Sequence, residues 1–221
     1  MKFSYLLWGM FAFFVCLSPQ LWAEIIPFNA VIEISGATPP EGTPAWLSAS
    51  FDDNNSPGSV TLTLVAENLT DAEFVSDWHF NLDPSLDPDA LEFAIISKTG
   101  AFDDPTIDTD TDQLKAGGDG YSDILFSFET SNGPSTRFGV GDALTLQITG
   151  IATLTAQSFN WTTSPGKGGG DKSGYIIVAH VQGVGPNDDD SGWVATPEPS
   201  SFFLVILGLL GLVFLDRQRR I

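Results

Sequence analysis

Four aspartates, Asp108, Asp110, Asp112 and Asp119, combine a residue type and a spacing suited to a hard cation. The first three alternate as the opening ligands of an EF-hand-type calcium loop do, and Asp119 falls where the closing carboxylate belongs. Two features run against the match. Gln113 stands where such a loop takes glycine for its sharp turn, and Asp119 is shorter than the usual bidentate glutamate. The competing reading is a solvated acidic loop that keeps the protein soluble. Calcium is thus the one cofactor the residues raise.

General acid–base chemistry needs two carboxylates, or a histidine and a partner, in one cleft. Carboxylates are plentiful here, but no spacing singles out a pair. His79 lies between Trp78 and Phe80, so alternation predicts an outward-facing surface histidine. His180 has opposite parity to Ala179 and Val181 and reads as a hydrogen-bonded or edge residue. The glycine-rich stretch 166–174 has the look of a phosphate loop but no following helix to supply aligned N–H groups, so it reads as a surface loop. Trp46, Trp161 and Trp193 lie beside loops or strand ends, where rings could stack on sugar faces. The alternative for each is a plug at the end of the core.

The elements that would position these residues lie between two segments that are not fold material. Residues 1–23 read as a secretory signal peptide: Lys2 supplies the charge, 5–17 the apolar stretch, Pro19 the break, and Ala23 the small residue at the cleavage point. Taking away Lys2, then the tail's three arginines and one aspartate, moves the formal charge from −19 to −20 and then to −22. A surface so acidic repels nucleic acid, which excludes that class of partner. The single cysteine, Cys16, sits in the signal peptide, so the exported domain has no disulfide, thiol nucleophile or Cys-zinc site.

From 24 to 195 the pattern is period two, broken by turn residues. Strands are expected at 31–34, 46–51, 60–64, 78–82, 91–97, 124–128, 144–149, 175–182 and 193–195, with loops at 98–121 and 162–174. Helical periodicity is missing from this region. The expected fold is all-β: an antiparallel two-sheet sandwich, jelly-roll or immunoglobulin-like, with a signal helix before it and a transmembrane helix after it.

The tail, 196–221, joins three parts. Pro197, Glu198 and Pro199 form a rigid tripeptide; residues 202–215 are apolar; Arg217, Arg219 and Arg220 end the run. Fourteen residues at 1.5 Å each span about 21 Å, short of the ~30 Å hydrocarbon core. The arginines fix their end inside by the positive-inside rule, leaving the acidic domain outside. This order of parts resembles the PEP-CTERM sorting signal. The stretches 78–84, 174–183 and 191–194 more loosely resemble the domain often found with that tail. The resemblance implies a bacterium with an exopolysaccharide, transient tethering in the inner membrane, and an exosortase that removes the tail near the tripeptide. The expected fate is the cell surface or the extracellular medium. The expected role is non-enzymatic, as a surface or matrix component; the alternative is a carbohydrate-binding module for extracellular polysaccharide.

Overall fold

Clean alternation in the central runs sets the architecture. Leu47, Ala49 and Phe51 on one strand, Val60, Leu62 and Leu64 on the next, and Leu144, Leu146 and Ile148 on a third are all buried, while the residues between them are not. The computed structural model describes residues 24–70, 72–117, 120–131, 133, 135–165 and 174–197. The expected signal helix and the apolar segment 202–215 lie outside the described residues. Among the described residues, no helix is long and apolar enough to cross a membrane.

Twelve strands are described: β1 (Ile25–Ala30), β2 (Ile32–Glu33), β3 (Leu47–Asp52), β4 (Val60–Ala66), β5 (Phe74–Phe80) and β6 (Glu92–Thr99), followed by β7 (Thr106–Lys115), β8 (Tyr121–Ser127), β9 (Phe138–Gly139), β10 (Ala143–Thr149), β11 (Tyr175–Val184) and β12 (Asp190–Pro197). One sheet has the order β1-β3-β4-β10-β6. The other has the order β2-β12-β11-β5-β8-β7, with β9 also on β5. The paired strands are antiparallel. Both sheets contribute to one apolar core, in which Phe51 stacks on Phe159 at 4.3 Å and meets Phe80 edge-on at 5.6 Å. The all-β, two-sheet antiparallel expectation is met.

Three expectations need correction. The stretch 98–121 is not all loop, because β7 occupies its centre and pairs with β8. β7 closes one edge of its sheet and has only Ile107 and Leu114 as apolar residues, seven positions apart, so it carries no apolar alternation to announce it. The first strand starts at Ile25, ahead of 31–34, and accepts Pro27 because β1 is an edge strand. The domain continues past 195. Thr196 is buried, and Pro197, the first residue of the tripeptide, pairs with Tyr175 at the end of β12.

Candidate functional sites on the second sheet and at its ends

β5 is buried on both faces, and the outward face carries an unusual polar layer. Across the sheet, Trp193 of β12, His180 of β11, Asp77 of β5 and Ser127 of β8 are register neighbours. A register shift at β5 places Ser76 beside the same group. Ser76 Oγ lies 2.9 Å from His180 Nδ1 and donates to Asp77 Oδ2 at 2.9 Å, while Ser127 Oγ donates to Asp77 Oδ1 at 3.3 Å. Burial pushes the Asp77 carboxyl up. His180, Ser76 and His79 outweigh that and hold it below its ordinary value.

Serine, histidine and aspartate so close together invite comparison with a nucleophilic triad, and the geometry argues against one. A relay uses both imidazole nitrogens, one toward the serine and one toward the carboxylate. Here Ser76 and Asp77, the latter at 3.7 Å, both face Nδ1 of His180. Ser76 is also buried, which leaves no room for a substrate carbonyl. The other face of the His180 ring stacks on Trp193 at 4.6 Å and 14°. The group holds β5, β11 and β12 together.

His79 corrects the sequence expectation. Its parity is as predicted, opposite to Trp78 and Phe80, but its face is not solvent: the residue is 1% exposed. Trp193 lies 5.6 Å from its ring, and Nδ1 lies 2.8 Å from Ser122 Oγ. Ser122 gives its hydroxyl proton to Leu114 O at 3.1 Å, so His79 Nδ1 is the donor to Ser122. The end of the β7–β8 hairpin covers this face. Ala116 is buried against Val178 and Ala195. Gly117, at φ +43°, lies so close that a Cβ would fall 2.0 Å from the Trp193 ring. Burial drives the His79 imidazole down from 6.5 to about 4; Asp77 opposes that and His180 adds to it.

The three tryptophans separate. Trp46 is 5% exposed and part of the core, its Nε1 donating to Gly42 O at 2.6 Å, so it is not available to a sugar. Trp193 is partly covered and engaged by both histidines. Trp161, 42% exposed, stands between two clefts of about 410 and 220 Å³. The larger is lined by Asp83, Ser85, Thr155, Gln157 and Asn160, the smaller by Asp83, Thr111, Asp112 and Asp123. Two local motifs shape them. Ser158 Oγ accepts from Thr155 N–H at the start of the 3-10 turn Ala156–Phe159, and Asp83 N–H donates to Ser158 O at 2.7 Å. Ser85 donates to Asp83 Oδ1 through both N–H and Oγ, which holds the Asp83 carboxyl below its ordinary value. An exposed indole between rows of hydroxyl, amide and carboxylate groups can stack on a sugar ring and hydrogen-bond its hydroxyls.

Three of the four proposed calcium ligands, Asp108, Asp110 and Asp112, lie along β7 rather than around a loop. Asp108 pairs with Leu125 of β8, whereas Asp112 sits in the register break between Thr109 and Leu114 with φ +51°. Asp112 N–H donates to Asp123 Oδ1 at 2.8 Å, and Leu82 N–H donates to Asp123 Oδ2 at 2.8 Å. Burial raises the Asp123 carboxyl, against those two bonds. Among the described residues, no three His, Cys, Asp or Glu residues are grouped to hold a metal ion. Asp119 lies outside the described residues, as do 166–173, Glu198, Pro199, Arg217, Arg219 and Arg220. Ser76, Asp77, Asp83 and Asp123 were not singled out by sequence. Asp77 shares the parity of His79, which was the one available signal. Searches against protein-family models, curated proteins and solved structures return no match.

Proposed function

We propose that the protein is exported, held briefly at the inner membrane by its C-terminal tail, processed by an exosortase, and deployed as a non-enzymatic component of the cell surface or extracellular matrix. The observation that carries this is the order of parts in the tail: Pro197-Glu198-Pro199, fourteen apolar residues, then Arg217, Arg219 and Arg220. The short apolar run makes a weak anchor, and the arginines keep the acidic domain outside. The end of β12 supports the arrangement. Pro197 is still paired in the sheet, and at ~3.4 Å per extended residue the apolar run begins within roughly 17 Å of it. The tethered domain therefore sits against the bilayer, with the tripeptide at its edge.

Deletion of 198–221, keeping the Pro197 pairing, is expected to leave a folded domain that appears in the medium without processing. Unchanged fractionation in a host with an exosortase would refute the sorting role.

A second reading, a carbohydrate-binding module for extracellular polysaccharide, draws support from Trp161 and its two clefts. Trp161→Ala is expected to leave the melting temperature within about 3 °C of the parent, since the ring lies outside the core, and to remove retention on a glycan array. Equal retention by parent and variant would count against Trp161 as the contact.

A further inference from the structure

The end of the sandwich away from Trp161 holds a cleft of about 500 Å³, where β5 begins with Phe74. Its walls include Phe74, Phe102, Arg137, Val140, Asp142 and Asp188. Arg137 is a rare cation in a chain of formal charge −19. Its guanidinium carbon lies 4.3 Å over the Phe74 ring, and its Nε is buried without a hydrogen-bond partner. Among the described residues the ion pairs are Lys98 with Asp104 and His180 with Asp77, and neither includes Arg137.

Two of the neighbouring carboxylates are engaged by backbone donors. Glu73 accepts the backbone N–H groups of Glu41 and Thr70 at 2.7 and 2.8 Å, and Asp142 Oδ2 accepts that of Gly139 at 2.8 Å. Stacking on Phe74 holds the guanidinium in place with its buried Nε–H unpaired, in a cleft whose walls also carry Asp142, Asp188 and the apolar side chains of Phe102 and Val140.

We propose that this cleft binds a neutral polyhydroxylated molecule of one or two sugar rings. Each hydroxyl both donates and accepts, which suits a cleft lined by a guanidinium and by carboxylates, while the apolar wall takes the C–H face of a ring. An anionic ligand would meet Asp142 and Asp188, and a cation would meet Arg137. The volume falls within the range of small-molecule sites. β12 runs from Asp190, two residues beyond Asp188 of this cleft, to Pro197 at the tail, so the cleft faces away from the point of tethering. It is open to the exterior whether or not the tail has been removed, and it does not depend on the sorting role or on Trp161.

The test is saturation-transfer NMR on the full chain in a sugar-free detergent, with glucose, maltose, cellobiose and glucuronate as probes. At least one neutral sugar is expected to bind saturably. Arg137→Ala and Asp142→Asn should each weaken it about tenfold, the scale of one charge-assisted hydrogen bond, while Trp161→Ala leaves it unchanged. Arg137→Lys keeps the charge but not the planar fork, and is expected to bind weakly with an unaltered melting curve, which covers the case of a misfolded alanine variant. The proposal is overturned if none of the neutral sugars binds, if glucuronate binds at least as tightly as they do, or if Arg137→Lys binds as well as the parent.

Discussion

Acidification from pH 6.5 to 4 is expected to cost the domain about 3 kcal/mol through His79 alone. The buried imidazole has its pKa lowered to about 4, against 6.5 for a free histidine. Each tenfold difference in proton affinity is worth about 1.4 kcal/mol. Above pH 6.5 neither the folded nor the unfolded chain protonates this group, and its contribution does not vary. As pH falls below 6.5 the unfolded chain takes up the proton first, so stability drops; below about 4 the folded state takes it up as well and the loss levels off. In a domain of this size the loss corresponds to roughly 6–12 °C in melting temperature.

Neighbouring carboxylates act in separable ways. Asp77 is held below its ordinary 3.8, so its stabilising contribution is lost only as pH falls below that value. Asp123 and Asp142 are raised by burial and favour the folded state toward acid, opposing the histidine. The difference between parent and His79→Asn isolates the effect. The variant's melting temperature should fall markedly less than the parent's between pH 6.5 and 4, and parallel curves would show that His79 does not titrate as the burial implies.

Asp123→Ala is expected to destabilise the domain by about 2–4 kcal/mol. One carboxylate answers two backbone donors, Leu82 N–H just past β5 and Asp112 N–H in the β7 register break. Removing it leaves both without their acceptor, and a buried unpaired donor costs roughly 1–3 kcal/mol. Leu82 is in the core, so solvent does not readily replace the lost bond there. Asp123→Asn retains one acceptor oxygen and should lose about half as much. Urea denaturation of the three proteins gives the order parent, Asn, Ala. Equal midpoints would show that the β7 break is held by something other than Asp123. The change should also disturb the smaller cleft beside Trp161, since Asp112 and Asp123 both line it.

What could be read from sequence followed the physics of alternation. β4 and β10 announced themselves because one face of each is apolar and the other polar. β7 did not, because between Ile107 and Leu114 this edge strand carries only aspartate, threonine and glutamine. For His79, parity gave the face correctly and exposure wrongly. Which face a side chain takes is local, whereas the turn that covers it, with Ala116 and Gly117 over Trp193, comes from some 40 residues away. Trp46, Trp161 and Trp193 looked equivalent in sequence and were separated only by tertiary packing. The β5 shift that brings Ser76 beside Asp77 and His180 has no sequence signature at all, nor does the isolation of Arg137 on Phe74.

The role proposed for the tail is that of a processing signal rather than a permanent anchor. Intact-mass spectrometry of the form recovered from the cell surface or medium of an exosortase-bearing host tests it most directly. The predicted species begins at Glu24 and ends near the Pro197-Glu198-Pro199 tripeptide, with 202–215 gone. A surface form that still carries the apolar run and Arg217, Arg219 and Arg220 would contradict it.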